Sequence, residues 1–172
     1  MTSDKEPQLN LQPGDLILFS HTRLFDRLVR WFTKSEFSHA GIVYELGEKK
    51  IKVGEAWGSG FGIRTRYVSE LPKCKIRRAK VELKDVKRIQ RKYIGKPYDR
   101  LNIIGLVIHS LTGKKLFVRS VKKITCSEVS ARFFYDASKK QIDFQKEFHK
   151  PYDYITPADL ARSKQLRNIK LN

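Results

Sequence analysis

Residues 36–45, EFSHAGIVYE, contain the feature from which the fold can be predicted. His39 opens a β-strand pattern and is followed by two of the smallest residues, Ala40 and Gly41. A second strand pattern, residues 51–57, follows the Gly-containing loop LGEKK, which predicts an antiparallel hairpin. The small side chains leave room beside the imidazole, so we expect another element, carrying a partner for His39, to pack closely against this strand.

The loop length predicts the register of this hairpin. A turn centred on LGEKK pairs Gly41 with Glu55, Tyr44 with Lys52, and His39 with Trp57. Alternate residues of a strand share a face, so Glu55 becomes a diagonal neighbour of His39. A register shifted by one residue would instead place Glu55 on the other face, as a solvent-exposed strand residue.

Cys126 is the best candidate in the sequence for a nucleophile. It begins the helical pattern CSEVSARFF, and the free N–H groups at a helix start stabilise a thiolate. Cys74 lies between lysines in a strand pattern and has no helix start, which makes it the weaker candidate. The alternative for Cys126 is an inert cysteine packed in the core. Together with His39 and Glu55, Cys126 would complete a nucleophile, base and orienting acid.

The order of the predicted elements indicates an α+β fold in which an antiparallel sheet packs against helices. Strand patterns dominate the first half, with an amphipathic helix in residues 22–34, and helices dominate the second half. We predict a flexible glycine-rich connection at residues 58–62, a buried helix at residues 101–111 and a capped helix beginning after Thr156. The 172 residues fit a single domain, 1–172, with residues 1–10 as a flexible N-terminus.

The chain is strongly basic, with 36 Lys and Arg against 18 Asp and Glu and a net charge of +18. Residues 73–96 alone hold eleven basic and two acidic residues. Such a surface can bind an anionic polymer or a membrane surface, or it can be a solvated face without a partner. Two cysteines are too few for a disulfide framework or a Cys-rich zinc site.

The sequence shows no pattern typical of membrane insertion or secretion. The first ten residues lack the apolar core of a signal peptide, and no apolar run reaches the roughly 20 residues needed to span a bilayer. We therefore expect no transmembrane segment and a cytoplasmic protein, with export by a leaderless route as the alternative.

Five stretches, in this order, resemble the circularly permuted NlpC/P60 superfamily, and above all its bacterial YiiX-like branch: PGDLILF, TKSEFSHAGIVYE, VGEAWGSGFGIRT, GKPYDRLN and ITCSEVSARFFYDA. The resemblance runs from about Pro13 to the TPADL stretch, and SHAGIVYE and TCSEVS are its specific parts. It implies a papain-like core in which the histidine strand precedes the cysteine helix.

The resemblance also implies a set of site residues. Cys126 corresponds to the nucleophile, His39 to the base, Glu55 to the acidic residue that orients the base, and Tyr98 of GKPYD to a tyrosine that contacts the substrate carbonyl or the oxyanion. No metal and no organic cofactor is implied.

The leading functional hypothesis is a cysteine hydrolase, an amidase or peptidase that forms an acyl-enzyme on peptide or amide substrates of the cell-wall type. One alternative is a thiol-dependent acyltransferase or phospholipase that uses anionic acyl lipids, as in another permuted branch. The nucleophile motif TCSEVS differs from the Asn-Cys-Glu-His-like motif of that lipid-acting branch. The other alternative is a basic binding module without catalytic activity.

Overall fold

The computed structural model describes residues 10–21, 24–99 and 123–170, and these residues form an antiparallel sheet with helices packed against it. The six strands in the described residues are β1 (Leu16–Phe19), β2 (His39–Glu45), β3 (Lys50–Trp57), β4 (Gly60–Tyr67), β5 (Lys75–Ala79) and β6 (Leu166–Ile169). Their order in the sheet is β4-β3-β2-β1-β5-β6, and every neighbouring pair is antiparallel. The predicted α+β class with an antiparallel sheet is therefore confirmed.

The helices of the described residues come mainly after the first five strands. They are α1 (Leu24–Thr33), α2 (Val86–Arg91), α3 (Cys126–Ala137), α4 (Phe144–Phe148) and α5 (Pro157–Arg162), with 3₁₀ helices at Val68–Lys73 and Tyr152–Tyr154. The start of α5 was predicted correctly: Thr156 caps it, and Asp159 completes a reciprocal capping box. The buried helix predicted at residues 101–111 lies outside the described residues.

The two faces of the sheet bury different clusters, because successive residues of a strand point to opposite sides. On one face, Ala40 and Ile42 of β2 belong to the larger cluster, which includes Phe133 and Phe134 of α3. On the other face, Val43 and its neighbours form a smaller cluster beneath the 3₁₀ helix Val68–Lys73. Helix α3 therefore packs against β2, the strand that begins with His39.

The predicted hairpin register is confirmed at the residues that matter for the site. Gly41 pairs with Glu55, and the register continues through Val43. One detail was wrong: a bulge after Val43 makes Glu45, and not Tyr44, the partner of Lys52. At this bulge the Tyr44 hydroxyl accepts a 2.8 Å hydrogen bond from Arg91 Nε.

The prediction of a flexible connection at residues 58–62 was wrong, because Gly60 begins β4. Gly60 has a φ of +104°, and a Cβ there would lie 2.5 Å from the carbonyl oxygen of Lys96. The same carbonyl accepts a 2.9 Å hydrogen bond from the Phe61 N–H. The glycines thus allow a tight turn and a close backbone approach. Strand β6 was also missed, since its four residues have no alternating pattern of their own.

No helix within residues 10–21, 24–99 and 123–170 combines the length and the apolar character that crossing a bilayer requires.

Candidate active site

Cys126 is the first residue of α3 and is almost fully buried, with a relative exposure of 5%. Thr125 caps the helix, and its hydroxyl accepts a 3.2 Å hydrogen bond from the Glu128 N–H. The sulfur accepts hydrogen bonds from the N–H groups of Ala40 and Ser127. Burial by itself raises the pKa of this thiol, but the positive His39 and these hydrogen bonds outweigh it, so the pKa of Cys126 is lowered.

His39 connects Cys126 to Glu55. Its Nε2 lies 2.9 Å from Glu55 Oε2, and the ring also hydrogen-bonds to the sulfur of Cys126, which leaves Nδ1 as the nitrogen facing the sulfur. Burial lowers the pKa of His39, but the charges and hydrogen bonds of its two partners raise it to about 9. The arrangement therefore favours a thiolate beside an imidazolium.

Glu55 is buried in β3 and has two cationic partners. His39 is the first, and Arg66 is the second, with Nη2 at 2.8 Å from Oε1 and 2.9 Å from Oε2. Burial raises the pKa of Glu55, yet the hydrogen bonds and charges of His39 and Arg66 lower it to about 2. The carboxylate consequently stays ionised and holds the imidazole from the side opposite the sulfur.

Arg66 was not predicted from the sequence as part of the site. In β4, Gly62 pairs with Glu55, and Arg66 lies on the same face as Gly62 because side chains alternate. The long side chain reaches back to the carboxylate and passes over the rings of Phe19 and Trp57, 5.1 Å and 5.9 Å from their centroids. The alternating arginines of IRTRY could have indicated that Arg64 and Arg66 share a face, but only if residues 60–67 had been predicted as a strand.

We expect Arg66→Gln to lower the free energy of unfolding at neutral pH by roughly 2 kcal/mol, because a buried carboxylate loses its charged donor. Urea denaturation checks this. Arg64→Gln is the matched control, since Arg64 lies on the same strand and bonds only the exposed Ser59 hydroxyl among the contacts described. Equal losses in the two variants would show that Arg66 does not support Glu55.

A group of rings surrounds His39. Trp57 lies opposite it at 4.5 Å between centroids, and His21 lies 5.7 Å from His39 and 5.2 Å from Trp57. His21 also stacks on Phe19 at 5.4 Å. Burial, followed by the positive charge of His39, lowers the pKa of His21, which keeps its ring neutral. In the sequence His21 is only one histidine among four, and its place beside His39 comes from the segment that follows β1.

Tyr98, predicted from the family resemblance, lies near Cys126 in the backbone. Its main chain forms a parallel bridge with Ile124, two residues before the cysteine. The half-buried ring packs against the larger core cluster. The structure therefore brings the Tyr98 backbone next to the segment that leads into α3.

Cys74, the weaker candidate, has a different environment from Cys126. It follows the 3₁₀ helix Val68–Lys73, and its thiol donates a 3.5 Å hydrogen bond to the Glu70 carbonyl oxygen. Burial is the main cause that raises its pKa to about 11. At neutral pH this thiol stays protonated, so it can serve as an internal reference for Cys126.

The two small residues after His39, Ala40 and Gly41, lie on opposite faces of the sheet. Ala40 belongs to the cluster that contains Cys126, as expected for an approaching helix. For Gly41 the expectation was wrong: a Cβ there would lie 2.6 Å from Val53 and 3.4 Å from Glu55, on neighbouring β3. Gly41 thus makes room for the strand that carries the acid, and not for the cysteine helix.

The basic segment 73–96 is less uniform in the structure than in the sequence. Arg77 is buried and donates to the carbonyl groups of Ala161, Ser163 and Leu166. Arg78 pairs with buried Asp15 at 2.8 Å, and Lys87 pairs with Glu45 at 3.2 Å. These contacts neutralise or bury part of the charge, so the segment does not form one continuous free basic face.

Comparisons with known proteins support the fold. No protein-family profile and no curated protein sequence matches the chain. Among solved structures, the crystal structure of the metalloprotein YiiX from Escherichia coli O157:H7 is similar, with a TM-score of 0.60 and 18% sequence identity. The superposition covers 94% of this chain and 97% of that protein. At this identity the likeness shows a YiiX-like fold.

The metalloprotein description applies to the E. coli protein. In the part of this chain that the structure describes, no three or more His, Cys, Asp or Glu side chains form a group that could hold a metal ion. His39 instead bonds Cys126 with one ring nitrogen and Glu55 with the other, so the described site residues do not fit a metal centre.

Proposed function

We propose that this protein is a cysteine hydrolase of the permuted NlpC/P60 type, acting on amide or peptide bonds through an acyl-enzyme. The observation that carries the proposal is the position of His39, which bonds the Cys126 sulfur on one side and the Glu55 carboxylate on the other. Burying three ionisable groups is costly unless they are paired, which makes them poor residues for core packing alone. The order of thiol, imidazole and carboxylate is the one that nucleophilic catalysis requires, so the arrangement fits catalysis better.

In the proposed reaction, the Cys126 thiolate attacks the carbonyl carbon of the substrate and forms a carbon–sulfur bond. The imidazolium of His39 gives its proton to the leaving nitrogen as the carbon–nitrogen bond breaks, leaving a thioester. His39, now neutral, takes a proton from water, whose oxygen attacks the thioester carbon. The carboxylic acid leaves and the thiolate–imidazolium pair is restored.

Two groups are candidates for stabilising the negative oxygen of the tetrahedral intermediate. The Cys126 N–H lies in the first turn of α3, where backbone N–H groups have no partner within the helix. Tyr98 is the second candidate, on the strength of its backbone contact with Ile124. Glu55 holds the imidazole orientation and remains ionised throughout, because its pKa is about 2.

The test is to trap the acyl-enzyme. The protein is incubated with a panel of activated esters, chromogenic amides and cell-wall-type peptides, quenched in acid and digested for mass analysis. We expect an acyl adduct on the peptide that contains Cys126, absent in Cys126→Ala and retained in Cys74→Ala. Release of the free acid supports hydrolysis. Adducts on both cysteines alike, or on neither with every substrate, would contradict the proposal.

A further inference from the structure

Helix α1 has its polar side turned toward the protein. Asp26 is only 8% exposed, and its charge acts on His21. On the same side, Arg30 Nη1 donates a 2.9 Å hydrogen bond to the Ser20 hydroxyl. Surface helices of soluble proteins normally show the reverse, with the apolar face toward the core and the charged face toward water.

The opposite side of α1 carries a large apolar group, Trp31, that the described part of the chain leaves exposed. Trp31 is 69% exposed, the largest exposure among the exposed large apolar side chains of the described residues. The half-buried Phe32 packs its ring edge-on against Trp31, at 4.7 Å between centroids. Of the α1 side chains that the structure describes, none belongs to either core cluster.

Basic groups flank this apolar surface. Arg27, in the first turn of α1, and Lys34, directly after its last residue, are exposed. Glu36, also exposed, is the acidic residue nearest to Lys34 in sequence. Lys34 has a φ of +47°, so the chain turns sharply as the helix ends. A short helix with an exposed tryptophan and flanking Lys and Arg has the composition of an interfacial helix, in which the rings enter the headgroup region and the cations contact lipid phosphates.

We propose that α1 docks the protein onto the surface of an anionic phospholipid membrane, with Trp31 and Phe32 entering the lipid interface. The net charge of +18 complements such a surface. A second protein or a second copy of this chain could cover the apolar side, but the flanking cations and the overall charge favour the anionic lipid. This docking is independent of the proposed hydrolase activity.

The position of α1 links the docked surface to the candidate active site. The helix begins three residues after His21, whose ring lies 5.7 Å from that of His39. Membrane binding would therefore hold the candidate site close to the bilayer surface.

The experiment is sedimentation of the full-length protein with vesicles of equal parts phosphatidylcholine and phosphatidylglycerol, and with phosphatidylcholine alone. We expect binding to the anionic vesicles that weakens with added salt, and little binding to the neutral ones. Trp31→Glu is expected to reduce the partition coefficient at least about tenfold, since it places a charge in the interface. Ile94→Glu, which makes the same change of charge at an exposed apolar residue outside α1, is the control and is expected to bind like the wild type.

Fluorescence gives a second readout of the same contact. Vesicles should shift the tryptophan emission to shorter wavelength in the wild type. Trp31→Phe should keep binding and lose this shift, because the other tryptophan, Trp57, lies in the ring cluster around His39. Cys126→Ala should bind as the wild type does, and Trp31→Glu should keep the wild-type alkylation rate of Cys126, so the docking and the hydrolase proposals can fail separately.

Three results would overturn the docking proposal. The first is equal binding to neutral and anionic vesicles. The second is unchanged sedimentation of Trp31→Glu. The third is shielding of Trp31 from acrylamide before any lipid is added, which would show that a second copy or another part of the chain already covers this side.

Discussion

We expect iodoacetamide to alkylate Cys126 about 100-fold more slowly at about pH 6 once His39 is replaced by alanine. In the wild type the imidazolium keeps the pKa of Cys126 below its ordinary value of 9.0, so a larger fraction of the sulfur is thiolate at this pH than in an ordinary thiol. Without His39, burial of the sulfur remains and raises the thiol pKa. The smaller thiolate fraction outweighs the greater nucleophilicity that a thiolate gains as its pKa rises.

The pH dependence of the alkylation rate shows over which pH range the thiolate–imidazolium pair exists. The pKa of His39 is raised from 6.5 to about 9, so the imidazolium persists up to about pH 9. The ion pair therefore exists between the lowered pKa of Cys126 and about pH 9, and the wild-type rate should form a plateau across this window. In His39→Ala the plateau should disappear, and the alkylation rate should rise only as the pH approaches or passes the pKa of an ordinary thiol.

Two controls separate the role of His39 from general effects. Cys74, in the same sample, should label slowly at this pH in both proteins, because its pKa is about 11. His149→Ala removes an exposed histidine and should leave the labelling of Cys126 unchanged. If Cys126 in His39→Ala reacts at the wild-type rate, the helix N-terminus alone activates the thiol and the proposed thiolate–imidazolium pair is wrong.

Glu55→Gln should cost about 3 kcal/mol of unfolding free energy at neutral pH, and this loss should fade in acid. The pKa of Glu55 is about 2 in the folded protein against an ordinary 4.5. A carboxylate whose pKa is lowered by folding adds to the free energy of unfolding. This contribution is fully present above pH 4.5 and is lost as the pH falls from 4.5 through about 2. The wild type and the variant should therefore converge near the acid end of this window.

Urea denaturation of both proteins across this pH range measures the difference. Glu45→Gln is the matched control: this carboxylate also pairs with two cations, Lys52 and Lys87, but its side chain is 40% exposed where that of Glu55 is buried, so we expect no measurable change. A Glu55→Gln difference that stays constant down to pH 2 would show that the loss comes from packing and not from the charge of the carboxylate.

The hairpin shows how much of the site is encoded locally. His39 and Glu55 are 16 residues apart, and a short loop fixes their register, so the shared face of the two residues could be predicted by counting. The start of α3 at Cys126 could also be predicted, because the helical pattern begins there, and in the structure Thr125 provides the N-cap. Both features depend on interactions between residues that are close in sequence.

Other parts of the site depend on contacts between distant segments. Arg66 reaches Glu55 only because β4 adds to the edge of β3, and its glycine-rich beginning resembled a flexible loop. His21, two residues after the end of β1, joins the rings around His39, a position that no periodicity indicates. The reversed orientation of α1 also escaped prediction, since a periodic pattern identifies an apolar face but not the element it contacts.

The sequence by itself determined the α+β class, the histidine strand before the cysteine helix and the pairing of Gly41 with Glu55. Each follows from side-chain periodicity, loop length or helix capping, which act over a few residues. The tertiary structure alone decided that the His39 imidazole bonds both Cys126 and Glu55, that Arg66 secures the carboxylate and that Trp31 faces outward. The physical reason is that burial and charge pairing arise only when distant segments pack together, and those two effects set the pKa values and the exposed surface of this protein.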